Sequence, residues 1–183
     1  MSGLCSFFCL LFIFLGLTSL GCGHGSICVP QNADARESAA LTALLPAARE
    51  ATWTSSGHLL SVDLRGAILN YEQLTELSTL TELYELKLDA TTFPADGLAN
   101  LAGLPKLSAL SLCWTNVADS DVAAIAKSSS LELLDLRNTK ISDTSLEYLL
   151  GSNRLRFVFI SGNGLSKVAI GRFKEKRPEC HLQ

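Results

Sequence analysis

Histidine is nearly absent from this chain. The 183 residues hold three, His24, His58 and His181. None stands at a predictable distance from a serine or cysteine that it could activate, which removes the usual route to a nucleophile at neutral pH. No glycine-rich loop sits between a strand and a helix to cradle phosphate. Cys22, His24 and Cys28 match no closed zinc spacing. The net charge of −3 denies the chain the strongly basic face that non-specific nucleic-acid binding requires. These absences describe a non-enzyme, with no cofactor, metal, nucleic acid or small-molecule substrate.

Charge is missing altogether from Met1 to Leu20. The run LCSFFCLLFIFLGL fills that stretch. It is short for a membrane span, which takes about 20 apolar residues, and Gly21, Gly23 and Gly25 follow it. Residues 1–21 therefore read as a signal peptide, the alternative being an uncleaved anchor. Ser19-Leu20-Gly21-Cys22 resembles a bacterial lipoprotein box. That resemblance implies a lipid on Cys22 and a stable membrane tether if two chains are attached. Ordinary cleavage near Gly21 or Gly25 stays open. The expected location is the cell envelope after export, lipid-anchored or else periplasmic or secreted. Residues 22–33, polar and glycine-rich, read as a flexible linker.

Leucine supplies what is there. It opens a motif at Leu59, Leu83, Leu107, Leu131 and Leu155, 24 residues apart each time. Three positions on stand Val62, Leu86, Leu110, Leu134 and Val158. Two further stand Leu64, Leu88, Leu112, Leu136 and Ile160. After a turn come Leu69, Phe93, Val117, Ile141 and Leu165, then paired apolar positions from Leu74 and Leu77 to Ile170 and Phe173. The first part of each unit predicts a short strand and the last a short helix. One unit cannot bury its own apolar edge, so the copies must stack.

The segments LYELKL, LSALSL and LELLDL resemble the L-x-x-L-x-L opening of leucine-rich repeats. The resemblance covers Leu59 to about Phe173. It implies an α/β, right-handed solenoid of five repeats with a parallel concave sheet and convex helices. At the turn, where the family commonly has Asn or Cys, stand Ala67, Thr91, Thr115, Thr139 and Asn163. Their expected role is structural, a polar group satisfying buried backbone.

The domain plan is thus a helical amino-terminal cap over 34–58, repeats over 59–173 and a carboxy-terminal cap or tail over 174–183. Asp34 to Thr52 predicts a helix, interrupted by Pro46, with Trp53 packed at the junction. Asn70, Asp119 or Ser120, and Asp143 are candidate helix caps. The basic residues Lys174, Lys176 and Arg177 fit a solvated terminal repeat or, secondarily, a site for acidic partners. Cys28 and Cys180 lie too far apart across the stack to pair directly, and Cys113 reads as a free thiol.

Strand side chains alternate, so the residues between the leucines line one open face. In the first two repeats the opposite charges pair across strands, Asp63 with Lys87 and Arg65 with Asp89. Trp114, Leu133, Phe157 and Phe159 instead gather beside Asp135 and Arg137. An apolar, aromatic patch with a charged margin has the composition of a protein-binding site. A tail folded over the aromatics, or a dimer contact, would also account for it. The functional expectation is a protein-interaction module of the cell envelope. A self-associating envelope scaffold and an intracellular substrate-recruiting adaptor are the alternatives.

Overall fold

The computed structural model describes residues 27–183. The segment read as a signal peptide, residues 1–21, and Cys22 fall outside the described residues. One sheet holds seven strands in sequence order. They are β1 (Glu50–Trp53), β2 (Leu59–Asp63), β3 (Glu85–Lys87), β4 (Ala109–Ser111), β5 (Leu133–Asp135), β6 (Phe157–Phe159) and β7 (His181–Leu182). From β2 to β7 every pairing is parallel, and Ser61, Glu85, Ala109, Leu133, Phe157 and His181 fall in one register row. A constant spacing of 24 residues makes this possible, because each strand meets the equivalent residue of the next.

Helices cover one face of the sheet. They are α1 (Ala35–Leu44), α2 (Tyr71–Ser78), α3 (Asp119–Ile125), α4 (Asp143–Leu149) and α5 (Lys167–Lys176), with a 3-10 turn at Ala99–Gly103 where the second repeat was expected to be α-helical. Pro94, Gly97 and Gly103 crowd that stretch, and none favours a regular helix. Of the repeated apolar positions, all are buried except Leu165 and Ile170, which are half-buried. These two belong to the last described unit, which is followed among the described residues by β7 alone.

The turn residues act on backbone as their chemistry predicts. Thr91 Oγ1 donates to Leu64 O at 3.0 Å, Thr115 Oγ1 to Leu112 O at 2.6 Å and Thr139 Oγ1 to Leu136 O at 2.8 Å. Asn163 Nδ2 donates to Leu136 O and Ile160 O. Each bond satisfies a carbonyl that the next strand does not reach.

The caps differ from expectation. The helix predicted over Asp34 to Thr52 ends at Leu44, ahead of Pro46, which has no N–H to continue the helical hydrogen bonds. Glu50–Trp53 is instead a strand, antiparallel to β2. Trp53 packs against the core. The described part of the expected linker is docked rather than loose: Ile27 packs on the core, Asn32 Nδ2 donates to Ser55 O at 3.1 Å, and Cys28 is disulfide-bonded. Glu37 is buried and accepts the Leu59 N–H. It thereby satisfies the first core strand's leading donor.

At the other end, Arg177 is not solvated. It is buried and donates to Leu149 O, Leu150 O, Ser152 O and Leu155 O, with Glu179 as its carboxylate. Its guanidinium collects the orphan carbonyls where α4 ends and the chain enters β6. The tail then adds β7 to the sheet edge.

Asp119 and Asp143 do not cap their own helices. Ala118 and Ser142 hold those N-cap positions, and each aspartate accepts from the following unit. Asp119 takes Ser142 N–H at 2.9 Å, and Asp143 takes Ser166 N–H at 2.8 Å.

Candidate functional site

The open face of the sheet carries the residues that point away from the helices. Its amino-terminal half is polar and self-satisfied, though not through the cross-strand pairs expected. Arg65 grips Asp63, two residues before it: Nε lies 3.0 and 2.9 Å from the carboxylate oxygens, and a terminal nitrogen 2.6 Å. Glu85 accepts from Ser61 Oγ at 2.9 Å and lies 3.4 Å from Lys87 Nζ. Asp89 accepts from Ser111 Oγ and from the Cys113 N–H. An i, i+2 pair on one chain needs no help from its neighbour, so it forms ahead of the cross-strand alternative.

Electrostatics follow from these partners. Burial pushes the Asp63 carboxyl up, but Arg65 and a backbone N–H outweigh it and hold the group below its ordinary value. At Asp89 burial prevails over the Ser111 and Cys113 donors, and the group is raised. The Cys113 thiol is pushed up to about 11, chiefly by burial and then by Asp135. It stays a protonated, free thiol at neutral pH.

The carboxy-terminal half repeats one device and adds aromatics. Arg137 holds Asp135 with the geometry of the earlier pair, at 2.9, 3.0 and 2.5 Å. Asp135 is 1% exposed. In register, Phe159 stands beside Asp135 and Phe157 beside Leu133. The Arg137 guanidinium carbon lies 5.5 Å from the centre of the Phe159 ring, within cation–π range. Phe157 stacks with His181 of β7, centroids 5.3 Å apart and planes 14° apart. The tail thus flanks the aromatics as the next strand, and Phe157 remains 42% exposed.

Trp114 lies at the turn beyond β4 and is 67% exposed. Its N–H donates to Arg137 O at 3.0 Å. Its backbone is left-handed, with φ 60°. The same register position in the other units is Gly66, Ala90, Asn138 and Gly162, with φ 76°, 54°, 53° and 80°. Every unit turns here, and in the first four the backbone N–H still reaches the next unit. Only glycine meets that demand freely, and a bulky residue is an outlier.

The structure therefore joins Leu133, Asp135, Arg137, Phe157 and Phe159 through adjacent strands, and ties Trp114 to them through the Arg137 backbone. Glu37, Arg177 and the left-handed position of Trp114 escaped the sequence reading. Gly66 and Gly162, four periods apart, were the available sign of the last. Among the described residues, no group of three or more His, Cys, Asp or Glu is placed to hold a metal, and no helix is long and apolar enough to cross a membrane.

No family model matches the sequence, and no curated protein matches it either. Solved structures similar to it include a leucine-rich repeat protein and two internalins. A leucine-rich repeat protein of Leptospira interrogans is 20% identical with a TM-score of 0.47, over 59% of this chain and 27% of that one. Internalin C2 of Listeria monocytogenes is 18% identical with a TM-score of 0.48, over 68% and 61%. Another Listeria monocytogenes internalin is 20% identical with a TM-score of 0.39, over 59% and 36%. The chain thus spans less than two thirds of each protein's length.

Proposed function

We propose that the carboxy-terminal half of the open sheet face is a protein-recognition surface, on an exported protein of the cell envelope. The observation that carries the reading is Trp114. A tryptophan two-thirds exposed gains little from burial. It also occupies a backbone conformation that disfavours it by about 1 kcal/mol against glycine. A strained, exposed aromatic among aromatic neighbours is the signature of a binding anchor. Phe157, Phe159 and Leu133 supply the remaining apolar area, and the Asp135–Arg137 pair fixes its polar margin.

The test uses the protein as bait in native envelope extract, beside Trp114→Gly and Phe159→Asp variants shown to be folded. One partner retained by the parent and lost by both variants supports the reading. Identical recovery by all three assigns the aromatics to packing. Concentration-dependent association with no partner favours the self-associating scaffold, since the face would then be occupied by a second copy.

A further inference from the structure

The fully exposed charges without a partner beside the aromatic patch are of one sign. Asp135 is paired with Arg137, Glu132 with Arg154 and Glu179 with Arg177, while the half-buried Asp89 is held by the Ser111 hydroxyl and the Cys113 N–H. Two cations flank the patch and are exposed: Arg156, immediately before Phe157, and Lys140, two residues beyond the Asn138 turn that neighbours Trp114. Neither side chain has a hydrogen-bond or ion-pair partner among the described residues. Arg156 immediately precedes β6, and Lys140 follows β5 beyond its turn.

The wider chain leans the same way. The first 106 residues carry ten acidic and five basic side chains, whereas the last 77 carry eight and ten.

Resting on the recognition reading above, we infer that the partner presents an acidic protein segment. Its apolar or aromatic side chains would contact Trp114, Leu133, Phe157 and Phe159, and its carboxylates would reach Lys140 and Arg156. A basic or neutral segment would leave the two cations uncompensated at the contact margin, while an acidic one is steered toward them. The surface amines of α5 play no part, since α5 lies on the helical side.

The test selects a phage-displayed random dodecapeptide library on the immobilised full-length protein. Binding of the recovered peptides is then measured from 50 to 300 mM salt. The expected peptides combine Asp or Glu with aromatic or branched residues and weaken severalfold as salt rises. A Lys140→Glu, Arg156→Glu double variant, both sites exposed, should weaken them ~10-fold and flatten or reverse the salt dependence. Trp114→Gly should weaken them with the fold intact.

Peptides that need Trp114 but are neutral or basic, and indifferent to salt, overturn the acidic partner and leave the recognition surface standing. Peptides with no dependence on Trp114, or no peptides at all, overturn both. Trp114-dependent co-sedimentation with vesicles containing phosphatidylglycerol, with no peptide recovered, reassigns the patch to anionic lipid.

Discussion

The two halves of the open face are built on the same backbone unit and solve different problems. Strands β2 and β3 present Ser61, Asp63, Glu85 and Lys87, which bind one another or the Arg65 beside them. Strands β5 and β6 present Leu133, Phe157 and Phe159, with one ion pair between them. The helical side is equally apolar in both halves, so folding places no requirement for aromatics on the outer side. What differs between the halves is therefore free to serve recognition.

The sharpest check on this comparison is that the core should not see the difference. Leu86→Ala and Leu134→Ala remove fully buried side chains at the same register position. Each should destabilise by about 2–5 kcal/mol, through lost transfer energy plus the cavity left behind. Urea unfolding should give similar losses for the two. A much smaller loss at Leu134 would mean that the carboxy-terminal half is loosely packed, and its exposed aromatics would then reflect a weak core.

Next come the arginines. Arg177→Ala leaves four backbone carbonyls of the α4–β6 passage without their donor, and Arg137→Ala leaves Asp135 buried without its cation. Each should reduce stability by about 2–3 kcal/mol. Arg65→Ala should lose less than Arg137→Ala, because Arg65 is 40% exposed and Arg137 24%, and solvent weakens the more open pair. Lysine at 177 should not restore the loss, since a single ammonium cannot span the carbonyls that the planar fork reaches.

Acid titration separates two aspartates within the amino-terminal half. The folded Asp63 lies below the ordinary 3.8, so its contribution is present above that value and is lost as pH falls through the folded pKa. The folded Asp89 lies above 3.8. Its contribution is present below 3.8 and is lost as pH rises through the folded pKa. Asp63→Asn should therefore flatten the acid-side fall in stability, and Asp89→Asn should steepen it. Unfolding midpoints measured across that range check both, and equal shifts of one sign would show that the partners assigned to these carboxylates are wrong.

The stack was legible because a fixed period of 24 residues leaves nothing to infer about register. Once Leu86 pairs with Leu110, Phe157 must stand beside Leu133. The aromatic cluster could be read for the same reason. The ends could not. Glu37 and Arg177 look like surface residues in sequence, and only the meeting of distant segments buries them against unpaired backbone. Direct contact went to the partner two residues away because a side chain that reaches its own strand's carboxylate has less entropy to lose than one that must reach across, while Lys87 and Arg65 act on Asp63 and Asp89 across strands as charges. Glu50–Trp53 became a strand because the first parallel strand otherwise ends in open donors and acceptors.

The smallest predicted effect is also the one that most directly weighs recognition against folding. Trp114→Gly should raise stability by roughly 0.5–1 kcal/mol, by removing a bulky side chain from a left-handed turn. The reciprocal change, Gly66→Trp, should lower stability by a similar amount: its backbone has φ 76°, and an added Cβ meets only the Arg49 side chain within 4 Å. Both are measured by urea unfolding on one protein, so the comparison cancels the common background. Opposite signs would show that the turn itself prefers glycine in both halves and that Trp114 is held there against local preference. A loss of stability at both sites would mean that the indole contributes to packing despite its exposure. Trp114 would then be a structural residue, and the difference between the two halves would lie in how each is held together rather than in what each can bind.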